Sequence, residues 1–376
     1  MGNLKLGIVV AKIEYQLQGD DVNIILPEPI FCKELAGLAI QYNIDLFIFS
    51  SAEWTEQGLY GYRLRQGKWR KEPVPLPDIV YDRCFFTNPR QRQACEDMLA
   101  AIKRKKHFQS FNSSLPSKLY VYEALHAVEE LIPFLPHTEP LNTVATISRW
   151  LQLYPDGIVI KPAAGMHGKG VLHVAYNHAQ NQYEIRGRSL HNESFEASFL
   201  SELNALKWLY RFKKELNYLI QPYLQLRTED NRPFDIRVLM QKDGSGQWQL
   251  TGSMARVGQP NGLTSNIHGG GTACDPLQLL TPKMGSYKAE RLLQNIHMIS
   301  GQTVAEIEGH FGRFGELALD FGVTSKGSIW LLECNSKPGR QVFTNLAANL
   351  PTLAHERPLQ YAQYLQQRLN TKQKVI

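Results

Sequence analysis

Along the first hundred residues, short apolar runs alternate with stretches in which apolar positions recur every three or four residues. Leu6 to Ala11, Ile44 to Phe49 and Asp78 to Tyr81 have the length and residue types of strands, while Cys32 to Tyr42 and Pro89 to Lys106 carry a helical period. That alternation predicts a small α/β domain with a largely parallel sheet. Turn-forming residues crowd Phe111 to Pro116 and mark a boundary. After it, Ser117 to Leu131 reads as an amphipathic helix, with Leu119, Tyr122, Leu125 and Val128 at helical spacing. Strand-like runs follow at Gly157 to Lys161, Asn217 to Leu224, Phe234 to Met240 and Trp248 to Val257, the last two joined by a Gly244-Ser245-Gly246 turn.

The run Gly315 to Asp320 and the run Ile329 to Glu333 both end in a carboxylate, and the segment Phe321 to Gly327 between them can turn the chain. They read as a hairpin in which Asp320 and Glu333 face each other. Glu333 and Asn335 are two apart on a strand and so share a face, while Cys334 points away. Mg²⁺ takes oxygen ligands, often one or two carboxylates plus substrate phosphates. Asp320, Glu333 and the side-chain oxygen of Asn335 suit that demand, and they equally suit a polar strand edge followed by an Asn-Ser turn.

Residues 157–174 form a Gly-rich loop between two β-like runs, with Gly165, Gly168, Lys169 and Gly170 in the loop and Lys161 just before it. Exposed amides in such a loop form an anion nest. It is not a Walker A loop, because Gly170 follows Lys169 and a strand follows that. A flexible hairpin with two incidental lysines has the same pattern. Lys118 lies in the first turn of a helix, where a cation opposes the helix dipole, which hints at a ligand. The apolar strand through Gln221, Tyr223 and Leu224 runs into a Pro-containing link whose backbone groups suit an adenine edge, or a plain linker. Arg237 and Arg256 sit among apolar neighbours and need anionic partners. Asp235 can supply one of them, leaving one arginine for a ligand. Ser265 to Thr272 is a second backbone-rich loop, carrying Asn266 and His268.

Composition narrows the field without choosing a ligand. The 376 residues have ordinary globular proportions, which excludes disorder. A net charge of +6 suits any anionic partner. The basic cluster Lys103 to Lys106 ends a helix, and without aromatic interleaving, zinc-finger spacing or a helix-turn-helix signal it is read as a solvated face, not a specific nucleic-acid site. No run is long enough to span a bilayer. Five cysteines without Cys-x-x-Cys spacing favour a reducing, cytoplasmic setting.

Taken in order, Lys118, Lys161 before Gly165-Met166-His167-Gly168-Lys169-Gly170, the Gln221 to Leu224 link, Arg256, Ser265-Asn266-Ile267-His268-Gly269-Gly270, Asp320 and Glu333-Cys334-Asn335 resemble the ATP-grasp superfamily over about residues 111–343. The Ser-Asn-x-His-x-Gly-Gly segment is similar to glutamate ligases of the RimK type. Tyr81-Asp82-Arg83, Phe111-Asn112 and the segment from Glu333 to Arg340 are similar to the YheC/YheD family, the endospore coat-associated proteins.

This resemblance implies an α/β (α+β) ATP-grasp fold. A Rossmann-like pre-ATP-grasp domain would span 1–110 and an ATP-grasp domain 111–376, with a lid at about 142–222 and a catalytic subdomain at about 223–376. It implies that Asp320, Glu333 and Asn335 hold Mg²⁺, with Mn²⁺ as the alternative ion. Lys118 and Lys161 would contact ATP phosphates under the loop 165–170, and Gln221, Tyr223 and Leu224 would hold adenine. Gln221 stands where many relatives have Glu, which puts the ribose contact in doubt. Arg256, Arg237 and Arg340 would stabilise phosphoryl or carboxylate groups, with Asn266 and His268 near the acceptor. The activity implied is ATP-dependent joining of an unidentified carboxylate to an amine or other nucleophile through an acyl phosphate. The setting implied is the cytoplasm of the mother cell or forespore, in association with the spore coat and its proteins. The competing expectation is a nucleotide-binding structural or assembly protein that catalyses nothing.

Overall fold

A computed structural model describes residues 3–18, 21–165, 168–260, 262–265, 270–339 and 350–373. Its first sheet is built around parallel pairings of Ile44–Phe49, Leu4–Val9, Ile79–Asp82 and Gln109–Ser110. The antiparallel hairpin Gly58–Arg65 and Lys68–Val74 extends one edge, so the sheet is mixed and not largely parallel. That hairpin was not expected from the pattern because Lys68 to Glu72 is mostly polar, as suits an edge that faces water. Helices Pro29–Ala39 and Pro89–Lys105 pack on opposite faces through Phe31 and Leu35, and through Cys95, Met98 and Ile102. The basic cluster at 103–106 is anchored structurally: the Lys106 ammonium donates to Asp78 at 2.7 Å and to the Leu76 carbonyl at 2.8 Å.

The helix expected over Ser117 to Leu131 is shorter, spanning Lys118–His126. Turns follow it, then a single 3-10 turn at Ile132–Phe134, and Leu131 and Leu135 enter the core from either side of that turn.

A second sheet of six antiparallel strands runs in the order Glu139–Pro140, Tyr218–Pro222, Ile158–Pro162, Leu172–Asn177, Gln182–Arg188, Ser194–Phe199. Helices Val144–Leu153 and Glu202–Lys213 cover one face through Ile147, Trp150, Ala205 and Leu209. The third sheet, also antiparallel, runs Thr272–Cys274, Trp248–Val257, Phe234–Lys242, Glu316–Val323, Ile329–Asn335. Alternation along its strands sorts the chemistry. Leu317, Leu319, Phe321 and Val323 enter the core beneath the long helix Ser286–Phe311, so Asp320 emerges on the other face.

The C-terminal helix Leu350–Gln373 returns to the start of the chain, where Leu359, Tyr361, Ala362 and Leu365 join the core of Leu4, Leu6 and Leu35. Among the described residues no helix is long and apolar enough to cross a membrane.

Candidate active site

The second and third sheets, with loop residues beside the first, line a cleft of about 560 Å³, a size that suits a small-molecule ligand. Its floor is the third sheet, where strand register places charged residues side by side. Asp235 lies opposite Arg256, Arg237 opposite Asp320, and Asp320 opposite Glu333. The hairpin therefore forms with its two carboxylates facing each other. A register shift directly after Asp320 interrupts the ladder, as bulges beside sites commonly do.

Asp320 is buried and receives Arg237 through two bonds, Nε to Oδ1 at 2.7 Å and Nη2 to Oδ2 at 2.8 Å, while Arg256 Nη2 reaches Oδ2 at 2.9 Å. Burial pushes this carboxyl up, but the two guanidinium groups outweigh it and bring its pKa down to about 2. Arg256 also forms a two-bond pair with Asp235, which accepts a hydrogen bond from Ser265 as well. The expectation that Asp235 partners one arginine is met at Arg256. Both Arg237 and Arg256 line the cleft.

Glu333 pairs with Lys118 at 3.2 Å, and the Asn335 amide reaches Asp320 Oδ2 at 3.5 Å. The Lys118 backbone N–H donates to the Ala163 carbonyl, which fixes the helix start against the strand that carries Lys161. Lys161 has a weaker anchor, the Leu332 carbonyl at 3.4 Å. The residue is half-buried, and the protein packed around it desolvates its ammonium. That desolvation, and next the charge of Lys118, bring its pKa down to about 8.

Of the loop residues expected at phosphate, Gly168 lines the cleft, whereas Gly165, Lys169 and Gly170 are not part of its wall and Lys169 is exposed. Gly170 has φ near 73°, and a Cβ there would lie 2.8 Å from the Tyr218 hydroxyl, so the turn requires glycine. At the hinge, Gln221, Tyr223 and Leu224 all line the cleft. The Tyr223 N–H is committed to the Gly157 carbonyl at 3.0 Å, which corrects the expectation of a free amide there. The Leu224 N–H has no partner among the described residues. The Gln221 side chain turns away to Thr138, with Nε2 2.6 Å from its hydroxyl. Asn266, His268 and Arg340 lie outside the described residues.

The sequence pattern does not reveal one wall of the cleft, supplied by residues next to the first sheet. Pro27, Glu28 and Phe85 line the cleft opposite the hinge. Glu28 has left-handed backbone (φ 52°, ψ 57°), a conformation that costs a residue other than glycine energy and recurs at functional sites. Its carboxylate takes both arms of Arg83, which also bonds Glu316 at 3.2 Å and the Pro338 carbonyl at 2.9 Å. Asn112 donates to the Ser336 carbonyl at 2.7 Å, and Lys337 pairs with Asp82 at 2.8 Å. Tyr81-Asp82-Arg83 and Phe111-Asn112 thus hold the chain just beyond Asn335. The pointer in the sequence was Glu28 itself, an acid between two prolines at a helix start.

A family model described as "YheC/D like ATP-grasp" matches residues 107–365. The chain belongs to this family. It is 27% identical to the "Endospore coat-associated protein YheC" of Bacillus subtilis (strain 168) over 346 residues, covering 90% of this chain and 93% of the relative. It is 26% identical to the "Endospore coat-associated protein YheD" of the same organism over 360 residues, covering 92% of this chain and 76% of the relative. Among solved structures, D-cycloserine synthetase DcsG is similar with a TM-score of 0.55 at 14% identity, covering 97% of this chain and 99% of the other. The D-alanine-D-alanine ligase from Coxiella burnetii is similar with a TM-score of 0.51 at 12% identity, with all of both chains covered. At these identities the likeness is one of fold, and the fold of this family member is ATP-grasp.

Proposed function

We propose that this protein is an ATP- and Mg²⁺-dependent ligase that joins a carboxylate to an amine or another nucleophile through an acyl phosphate. The observation that carries the proposal is the charged row across the cleft floor: Arg237, Asp320 and Glu333 in register, Lys118 paired with Glu333 from the neighbouring helix, and Lys161 and Arg256 beside them.

Asp320, Glu333 and Asn335 are the residues that would hold the ion. Among the described residues no group of three or more His, Cys, Asp and Glu gathers to hold a metal. Two carboxylates and an amide form a partial oxygen set, which fits Mg²⁺ completed by phosphate oxygens and water. When bound, the ion would neutralise charge on the phosphates and help align donor and acceptor. Lys118 and Lys161 would bind phosphate oxygens, and Gly168 would let the loop backbone approach them. Arg237 and Arg256 would orient the acceptor carboxylate and offset charge on the transferring phosphoryl group. Attack of a carboxylate oxygen on the γ-phosphorus expels ADP and leaves an acyl phosphate; attack of the amine on its carbonyl carbon then expels phosphate. Leu224 would offer its N–H to adenine, and apolar hinge side chains would pack on the ring. The names of the YheC and YheD relatives support a role in spore-coat or envelope assembly.

MgATP at about 100 times its dissociation constant should stabilise the protein by about 2.7 kcal/mol, and Asp320→Asn combined with Glu333→Gln should abolish the shift. Amino acids and acidic peptides should then include one that triggers acceptor-dependent ADP release. An equal thermal shift in the double variant contradicts the metal set. Binding without turnover across a broad panel favours a nucleotide-binding assembly protein.

A further inference from the structure

Arg227 differs from the other arginines on the cleft wall. Arg237 and Arg256 are paired with carboxylates, but the Arg227 guanidinium bonds only neutral oxygens among the described residues. Nε donates to the Tyr223 hydroxyl at 3.2 Å, Nη1 to the Asn231 carbonyl at 2.7 Å and Nη2 to the Gly262 carbonyl at 2.9 Å. These acceptors belong to different segments: the hinge strand's end, the turn after it, and the loop that continues through Leu263, Thr264 and Ser265 along the cleft. Spanning them takes the planar fork of arginine, which a lysine cannot reproduce.

Both ends of this bridge are themselves held. The Tyr223 ring lies against His173, with centroids 4.0 Å apart, and Arg186 lies 5.9 Å from the same ring. His173 accepts from Arg186 Nε at 3.1 Å through Nδ1, so its Nε2 carries the hydrogen that meets the Asp156 carbonyl at 3.2 Å. Burial, and then the charges of Arg186 and Arg227, keep His173 neutral by bringing its pKa down to about 4. At the other end, Ser265 bonds Asp235, the partner of Arg256. The Arg227 backbone is fixed too, since Lys283 donates to its carbonyl at 3.0 Å. What can vary is the side chain between hinge and loop.

We propose that Arg227 is a positioning residue that couples occupancy of the nucleotide hinge to the order of the loop at Leu263–Ser265, so that nucleotide binding prepares the wall beside Arg256. This rests on the nucleotide reading above. Tyr223 lines the cleft and its hydroxyl accepts from Arg227, so a nucleotide packed against Tyr223 would hold the acceptor for Nε more firmly. The remaining two donors transmit that order to the turn at Asn231 and to the loop at Gly262.

Hydrogen–deuterium exchange of the full chain with a magnesium complex of a non-hydrolysable ATP analogue tests this, with the Leu224 amide reporting the hinge and the Leu263–Ser265 amides reporting the loop. The wild type should slow at both places. At saturating analogue, Arg227→Met should keep hinge protection but lose loop protection by about fivefold, the equivalent of one hydrogen bond at about 1 kcal/mol. Arg227→Lys should not restore it. Tyr223→Phe, which removes only the hydroxyl, should uncouple the two in the same sense and serves as the test if the Arg227 variants do not fold. Loop protection equal to wild type in these variants overturns the proposal. So does a parallel loss at hinge and loop, which would place Arg227 in nucleotide binding itself. An analogue that slows neither region in the wild type overturns the nucleotide reading, and the coupling falls with it.

Discussion

The cleft is flanked by two clusters of charge built on opposite principles. Where the first sheet meets the third, Arg83 is 1% exposed and meets Glu28 through both arms, Glu316 at its other nitrogen and the Pro338 carbonyl. Glu316 is shared further with Tyr81 and Gln241, and the Arg83 guanidinium lies over Phe31 and Phe85 at 5.2 and 5.4 Å. Burial alone would lower its pKa, but Glu28, Tyr81 and Glu316 more than reverse that, so it stays charged. At the end proposed to bind phosphate, Lys118 has Glu333 at 3.2 Å, while Lys161 has a carbonyl at 3.4 Å and a pKa brought down to about 8. Two ammonium groups there share one nearby carboxylate. A cluster whose charges are all answered belongs to folding; one left short of anions is arranged for something that arrives later.

Removing the central cation should show the first principle at its largest. Arg83→Met leaves Glu28 and Glu316 without their partner, and breaking a buried pair from one side costs about 3–5 kcal/mol, measurable by urea unfolding. Adding Glu316→Gln should recover part of that loss, because one of the stranded charges is then gone. A loss below about 1 kcal/mol would mean that water reaches the junction and that the contrast with the Lys118 and Lys161 end is overstated.

The Lys118 and Lys161 end should respond with the opposite sign and a smaller magnitude. Lys161→Met removes a poorly matched ammonium, so the ligand-free protein should become more stable by about 1 kcal/mol while its stabilisation by MgATP is lost. The pH dependence follows from the direction of the shift. An unfolded Lys161 stays protonated to about pH 10, whereas the folded one begins to lose its proton near pH 8. The unfolded state therefore binds more protons between these values, and this residue makes stability rise with pH through that window. Lys161→Met should remove the rise, which thermal melts from pH 7 to 10 would show.

Much of the floor was legible because strand alternation is a local property. It put Glu333 and Asn335 on one face and Cys334 on the other, and Asp320 needed only a turn to meet them. The direct pairing of Arg237 with Asp320 was not legible, since cross-strand register is set by the whole sheet. Glu28 was hidden for a different reason. Its place on the cleft depends on a left-handed backbone and on how the first sheet meets the third, neither of which leaves a periodic trace. Arg227 was passed over because it sits in a polar link, and what distinguishes it is the neutrality of its partners. The helix after Ser117 was drawn too long because apolar spacing continues through Val128 and Leu131, which reach the core from turns and not from helix.

The most direct test of the claim that Lys161 awaits phosphate is calorimetric titration of MgATP into the protein at pH 8.5, in two buffers of different ionisation enthalpy. Phosphate should restore the lysine's proton, so binding should take up between about half and one proton, and affinity should fall by up to about tenfold per pH unit above pH 8. Lys161→Met should leave no such uptake in any residual binding. Tight MgATP binding by the wild type with no proton uptake would contradict the account.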